Sequence, residues 1–191
     1  MAGKILAFAG SARRGSLTKK LLAFTVAAVR AAGGSVTEVD LRSFDLPLYD
    51  GDLEREHGLP EGALRLRTIF QAHDALLLGV TEYNGGVSPL LKNAIDWASR
   101  PDRDQPNLAA IRGKLVAMVS CSSGVLGGSR AQAHLRQSFQ VMGCVLLPET
   151  VTLPYADSAF DAEDAPCDPT VRTFIEFMAT RLVALADRLA I

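Results

Sequence analysis

The sequence carries no surplus of charge of either sign: 20 Lys+Arg stand against 21 Asp+Glu, a formal net charge of −1. A nucleic-acid protein usually shows a basic excess, and a carrier that docks on basic partners an acidic one, so neither class is favoured. No apolar run reaches the roughly 18 residues of a membrane helix. Cysteines are few: Cys121, Cys144 and Cys167 are odd in number and far apart, and no C-x-x-C occurs. That predicts reduced thiols and a cytoplasmic protein. No secretory leader is expected either. Lys4 precedes Ile5–Ala9, and Ala7-Phe8-Ala9 imitates a cleavage site. The apolar stretch is nevertheless shorter than the roughly 7–15 residues of a signal peptide, so it reads as a buried strand. His57, His73 and His134 lack ligand spacing, so no metal is expected, and no Ser-His-Asp arrangement can be argued from spacing.

What is present is a regular alternation. A length of 191 residues with 48% hydrophobic content suits one domain over residues 1–191. Lys4–Ala9 reads as a first strand. Leu17–Ala32 carries a helical apolar stripe and stops at Gly33-Gly34. Ser35–Leu41 alternates and predicts a second strand, followed by a long loop over Arg42–Pro60. Glu61–Ala72 predicts a helix buried through Leu64, Ile69 and Phe70. Ala75–Val80 is continuously apolar, as in a strand covered on both faces. Ser88 and Pro89 look like an N-cap and first helical residue, leading a helix to Ser99. After a polar break over Pro101–Asn107, Lys114–Ser120 predicts the fourth strand, Gly127–Met142 a turn and helix, and Cys144–Leu147 a short fifth strand. Leu153–Pro169 is irregular and acidic. Val171–Leu189 predicts a closing helix buried through Phe174, Phe177, Met178, Leu182 and Leu185. Strands alternating with helices predict an α/β, flavodoxin-like fold: a five-stranded parallel sheet in the order 2-1-3-4-5 with helices on both faces.

In such a sheet, ligands bind beyond the carboxyl ends of the strands where the strand order switches. Three unusual loops fall there. Gly10–Thr18 offers two glycines for a tight turn, hydroxyls on Ser11, Ser16 and Thr18, and the charge of Arg13 or Arg14. A terminal phosphate suits that loop. Gly10 and Gly15 match P-loop glycines, but Ser16-Leu17 stands where Lys-Ser/Thr belongs, and no G-x-G-x-x-G is present. Thr81–Pro89 places Tyr83 between Glu82 and Asn84, ahead of Gly85-Gly86. Tyr83 could lie against a planar ring that the glycines allow to approach, or the segment could be a hairpin-like connection with a chance aromatic. Ser120–Arg130 offers small residues and free N–H groups around Ser122 and Ser123. Cys121 reads as a small packed residue rather than a redox thiol.

Gly-Ser-x-Arg-x-x-Ser-x-Thr at 10–18, Glu-Tyr-Asn-Gly at 82–85, Leu-Lys-Asn-Ala-Ile-Asp-Trp at 91–97 and Gly-Gly-Ser-Arg at 127–130 resemble the NADPH-dependent FMN reductase family, over about residues 3–150. That family includes bacterial quinone, chromate and azo-dye reductases. The resemblance implies bound FMN, NADPH or NADH as electron donor, a small-molecule acceptor, and a homodimer or tetramer. Carried over by position, Ser11, Arg13, Ser16, Leu17 and Thr18 would hold the phosphate end of FMN. Glu82, Tyr83, Asn84 and Gly85 would meet its ring and ribityl chain, and Ser122 and Ser123 its pyrimidine edge. Asp45–Asp50 resembles a segment at the site's rim. Three residues depart from the family pattern: Thr18 where Asn is usual, Thr81 where proline precedes Glu-Tyr-Asn, and Ala133 where a tyrosine can make tetramer contacts. Flavin carries the chemistry in such a protein, so no catalytic side chain is required. An FMN electron carrier, or a non-redox binding protein of the same fold, is the alternative.

Overall fold

A computed structural model of the chain describes residues 2–102 and 105–189. Arg103 and Asp104, inside the expected polar break, lie outside the described residues. The strands of the main sheet are β1 (Lys4–Ala9), β2 (Ser35–Glu38), β3 (Ala75–Val80), β6 (Leu115–Cys121) and β7 (Val145–Leu153). They pair in parallel in the order β2-β1-β3-β6-β7. Counted within that sheet this is the expected order 2-1-3-4-5. Strands β4 (Glu82–Tyr83) and β5 (Gly86–Val87) form a separate antiparallel hairpin.

Period-two alternation distributes each strand between two cores. Ile5, Ala7 and Ala9 of β1 face one side with Leu77, Leu115 and Ala117, covered by α1 (Leu17–Ala31) and α6 (Pro169–Leu189). Leu6 and Phe8 face the other side with Leu76, Leu78, Val116 and Met118. There α3 (Glu61–Gln71), α4 (Pro89–Ser99) and α5 (Ser129–Val141) cover them through Phe70, Leu91, Leu135 and Phe139. Every residue of β3 is buried, as its unbroken apolar run requires.

Several elements differ from the sequence reading. β2 ends at Glu38, not Leu41. Val39 N still donates to Ala7 O, but the Asp40 carboxylate then accepts from Arg42 N at 3.0 Å and turns the chain into a 3-10 helix over Leu41–Phe44. The expected loop Arg42–Pro60 also holds a helix, α2 (Gly51–His57), capped by Asp50 and ended at Gly58. β7 runs through Pro148 to Leu153 rather than stopping at Leu147. Its register slips where Val116 pairs Leu146 but Met118 pairs Thr150, so Pro148 sits in a bulge of an edge strand, where a missing N–H is tolerated. In α3, Phe70 is buried, while Leu64 and Ile69 are only partly so.

The closing helix buries Met178 and Leu182 as expected, but the rest of its inward face differs. Phe174 and Phe177 are 39% and 51% exposed, whereas Ile175, Met178, Ala179, Leu182, Val183 and Ala186 are buried. Close approach explains the choice. A Cβ on Gly3 would lie 2.5 Å from the Ala186 carbonyl, and one on Gly34 would lie 2.8 Å from Val183 Cγ2. Alanines fit so tight a contact and phenylalanine rings do not. The rings instead lie near one another on the outside, with centroids 6.3 Å apart.

Candidate functional site

The carboxyl ends of β1, β3 and β6 open at one end of the sheet, and the three loops meet there. Gly10 N donates to Gly79 O at 2.9 Å, which carries the first loop along β3 before it turns. A Cβ at Gly10 would sit 2.7 Å from Ser88 Oγ, so only glycine fits. Ser88, fully buried, ties two loops together. It donates to Gly10 O at 2.6 Å and accepts from Leu91 N at 3.4 Å as the cap of α4. The sequence reading of Ser88 as N-cap and Pro89 as first helical residue matches.

Ser16 caps α1 and accepts from Lys19 N at 3.3 Å. No acidic residue stands in the first turn of this helix. Its remaining N–H groups and the positive end of its dipole are therefore not neutralised by its own side chains. Ser11, Ser16 and Thr18 are 2%, 4% and 4% exposed, an unusual concentration of buried hydroxyls. Arg13 lines the same cleft, and its backbone N–H donates to Ser11 Oγ at 3.3 Å.

The second loop is a tight hairpin. Asn84 and Gly85, with φ of 52° and 78°, take the two left-handed positions that a two-residue hairpin turn requires. Tyr83 leaves the hairpin 46% exposed. The Glu82 carboxylate accepts from Ala131 N at 3.0 Å. That bond supplies what α5 lacks locally, because its N-cap is Gly128 and makes no side-chain capping bond. The third loop is pinned to the end of β7. Ser122 N donates to Leu153 O at 3.2 Å and Ala156 N to Ser122 O at 3.0 Å. A Cβ at Gly127, where φ is 55°, would meet the Leu153–Pro154 backbone at 2.9 Å.

Together these loops enclose a cavity of about 150 Å³. Its walls include Ser11, Arg13, Ser16, Leu17, Thr18, Glu82, Tyr83, Ser122 and Ser123. Asn84 and Gly85, at the hairpin tip, are not among its lining residues; their φ values shape the turn that carries Tyr83. Thr81 and Cys121 line it too, although the sequence offered no role for either. Cys121 is buried, and desolvation pushes its thiol up to about 11, against a weak opposing bond from Sγ to Thr18 Oγ1 at 3.8 Å. It is a packed residue and not an activated nucleophile. Larger depressions, of about 350 Å³ beside Lys19 and Asp40 and about 440 Å³ between α1 and α6, lie away from the switch in strand order.

Other residues of interest serve the frame. The Asn93 side chain donates to Pro47 O at 2.9 Å and accepts from Tyr49 N at 2.7 Å, fastening the segment before α2 onto α4. Trp97 Nε1 donates to the same carbonyl at 2.8 Å. Lys92 and Asp96, four residues apart on α4, pair at 2.7 Å. His73 is buried, with ring nitrogens 2.6 Å from Ile69 O and 2.8 Å from Thr37 Oγ1. Among the described residues no group of His, Cys, Asp and Glu side chains could hold a metal ion, and no helix is long and apolar enough to cross a membrane.

Known proteins place this geometry. Residues 3–158 match the family described as NADPH-dependent FMN reductase. An NAD(P)H-dependent FMN reductase of Pseudomonas aeruginosa is 38% identical over 175 residues, covering 91% of this chain and 89% of that protein. A 2-hydroxy-1,4-benzoquinone reductase of Burkholderia sp. is 33% identical over 191 residues, covering 98% and 99%. The solved structure of FerB, a flavoenzyme NAD(P)H:(acceptor) oxidoreductase from Paracoccus denitrificans, superposes with a TM-score of 0.80. It is 30% identical and covers 97% of this chain and 98% of that one.

Proposed function

This chain belongs to the NADPH-dependent FMN reductase family, and from that premise we propose that it holds FMN in the cleft between its three loops and passes electrons from NADPH or NADH to a small acceptor of the quinone type. One observation carries the reading. Three buried hydroxyls and Arg13 converge on a helix N-terminus at the switch in strand order, within reach of an exposed tyrosine. That donor set suits a dianionic phosphate ester.

The dimensions fit as well. A cavity of about 150 Å³ is below the roughly 300 Å³ at which whole-ligand pockets begin. Such a cavity would take the phosphate and polyol of FMN, with the ring toward the mouth and Tyr83. Ser11, Ser16 and Thr18, with Arg13, would hold the phosphate. Tyr83 would support the ring, and Ser122 and Ser123 would offer polar contact at its edge. When bound, FMN supplies the chemistry of accepting hydride from a reduced nicotinamide and returning electrons to an acceptor. The protein's part is to bind and orient. Glu82 stiffens the hairpin by bonding α5, and Ser88 stiffens the phosphate loop by bonding Gly10. Such fixed donors cost little reorganisation when charge develops nearby. A ring open at the mouth would let donor and acceptor use one face in turn, for which ping-pong kinetics are the expectation.

The test is spectroscopic. Purified protein mixed with FMN should retain it through gel filtration, and anaerobic NADPH or NADH should bleach the flavin band. Protein that keeps no FMN, or FMN that no nicotinamide reduces, would refute the proposal. Arg13→Ala should raise the FMN dissociation constant roughly tenfold to a hundredfold, the loss of one charge-assisted hydrogen bond. An unchanged constant would remove Arg13 from the site.

A further inference from the structure

The floor of the cleft holds one hydroxyl with nothing to bond. Thr81 follows β3, and Val80 pairs with Ser120, so Thr81 stands level with Cys121 across the two central strands. Both line the cavity together with Thr18. The Thr18 hydroxyl accepts from Cys121 Sγ. Thr81 is 7% exposed, and its Oγ1 has no hydrogen-bond partner in the protein. Its backbone is already engaged, since Thr81 O accepts from Ser88 N at 3.0 Å. Buried hydroxyls without a partner are uncommon and call for an explanation, which at a ligand site is the ligand.

We propose that Thr81 is a cofactor-binding residue whose hydroxyl exchanges a hydrogen bond with the ribityl chain of FMN. The inference rests on the FMN reading above and adds a contact from Thr81, which directly precedes Glu82. Position in the cleft selects the polyol. One end is taken by the helix N-terminus, Ser11, Ser16 and Arg13, which suit the phosphate. The other end is the hairpin with Tyr83, which suits the ring. Thr81 lies on the central strand between them. The part of FMN that crosses this stretch is its hydroxylated chain, whose OH groups can both donate and accept. Thr81 Oγ1 is itself screened from solvent, so the contact requires a turn about χ1 that brings the oxygen to the cleft.

The closing experiment compares two ligands. Dissociation constants for FMN and for lumiflavin, which has the ring without the polyol, are measured by fluorescence for wild type, Thr81→Val, Thr81→Ser and Thr81→Ala. Apoprotein melting temperatures are recorded alongside. Thr81→Val should bind FMN threefold to tenfold more weakly, the worth of one neutral hydrogen bond, and lumiflavin as before. Thr81→Ser should keep the wild-type preference for FMN over lumiflavin. The melting temperature of apo Thr81→Val should hold or rise, because an unpartnered buried oxygen is removed. A purely structural threonine would move stability and both ligands in one direction. If Thr81→Val does not fold, Thr81→Ala removes the same oxygen with less bulk and carries the same expectation. Equal losses for both ligands, or none for FMN, would overturn the contact and leave the FMN reading intact. Wild-type protein that binds neither flavin would overturn both.

Discussion

Ser88 is the place to perturb the frame, because one hydroxyl performs two tasks. Ser88→Ala removes the cap of α4 and the bond to Gly10 O. The capping bond is long, at 3.4 Å, so its loss belongs at the low end of the usual range, about 0.5 kcal/mol. The bond to Gly10 is short, at 2.6 Å, and joins two buried residues. Removing it leaves a buried carbonyl unpaired, which costs about 1–3 kcal/mol. The expected total is about 1.5–3.5 kcal/mol, a large share of the roughly 5–15 kcal/mol that hold a domain together. Ser88→Gly separates the tasks. Glycine is nearly as good a cap as serine, losing about 0.3 kcal/mol, yet it leaves the same carbonyl orphaned. Urea unfolding of the apoprotein should therefore show a shifted midpoint at unchanged slope in both variants, with glycine retaining most of the loss. FMN affinity should fall in parallel, because Gly10 begins the phosphate loop. A loss below about 0.5 kcal/mol in both variants would refute this reasoning. So would a large loss in alanine that glycine restores.

Three further outcomes are expected. Gly62→Ala should lower the melting temperature, since its Cβ would fall 1.7 Å from Phe44 O, and the overpacking exceeds the roughly 1 kcal/mol that alanine adds to a helix; an unchanged or higher value contradicts the close contact. At pH 8 one thiol per native chain, the exposed Cys167, should react quickly with a disulfide reagent. Desolvation pushes buried Cys121 up to about 11 and partly buried Cys144 up to about 12, so both should react far more slowly than Cys167, and a second thiol as fast as Cys167 would contradict those raised values. Asp40 is held well below the ordinary carboxylate value of 3.8, by the Arg42 guanidinium first and then, against desolvation, by the Arg42 backbone N–H and by Lys19. A depressed folded value means its contribution is present above about pH 4 and is lost as the pH falls further. The side chain is 37% exposed, so the effect is screened and small. Asp40→Asn should lower stability slightly near pH 7 and converge on wild type at low pH, flattening the acid limb of the profile; an acid limb that stays as steep would exclude Asp40 as its source.

What the sequence disclosed depended on whether a signal was local. The fully buried runs of β1 and β3, and the capping pair Ser88-Pro89, are written in consecutive residues, and they were legible. The helix Gly51–His57 was not, because none of its residues is buried and no apolar period marks it. Asp50 before it and Gly58 after it were the available clue, an N-cap and a left-handed stop. Phe174 and Phe177 misled because hydrophobicity alone picks the largest side chains. The tight contact of Ala186 with Gly3 is a pairing across 183 residues of chain that no local pattern announces. The same holds at the cleft. Residue types gathered the three loops in one place, but the bond from Ala131 to the Glu82 carboxylate and the solitary hydroxyl of Thr81 exist only once the loops have met.

The Glu82 bond has a consequence for anyone who would rebuild the cleft. The hairpin that carries Tyr83 and the helix that follows the third loop share one carboxylate, so they are not interchangeable modules. A hairpin grafted from a relative with a different residue at that position would leave the first turn of α5 without its acceptor, and a new third loop would strand the glutamate. Altered acceptor preference is therefore best sought by changing residues 82–87 and 127–131 as a single cassette, with the carboxylate and its amide inherited together.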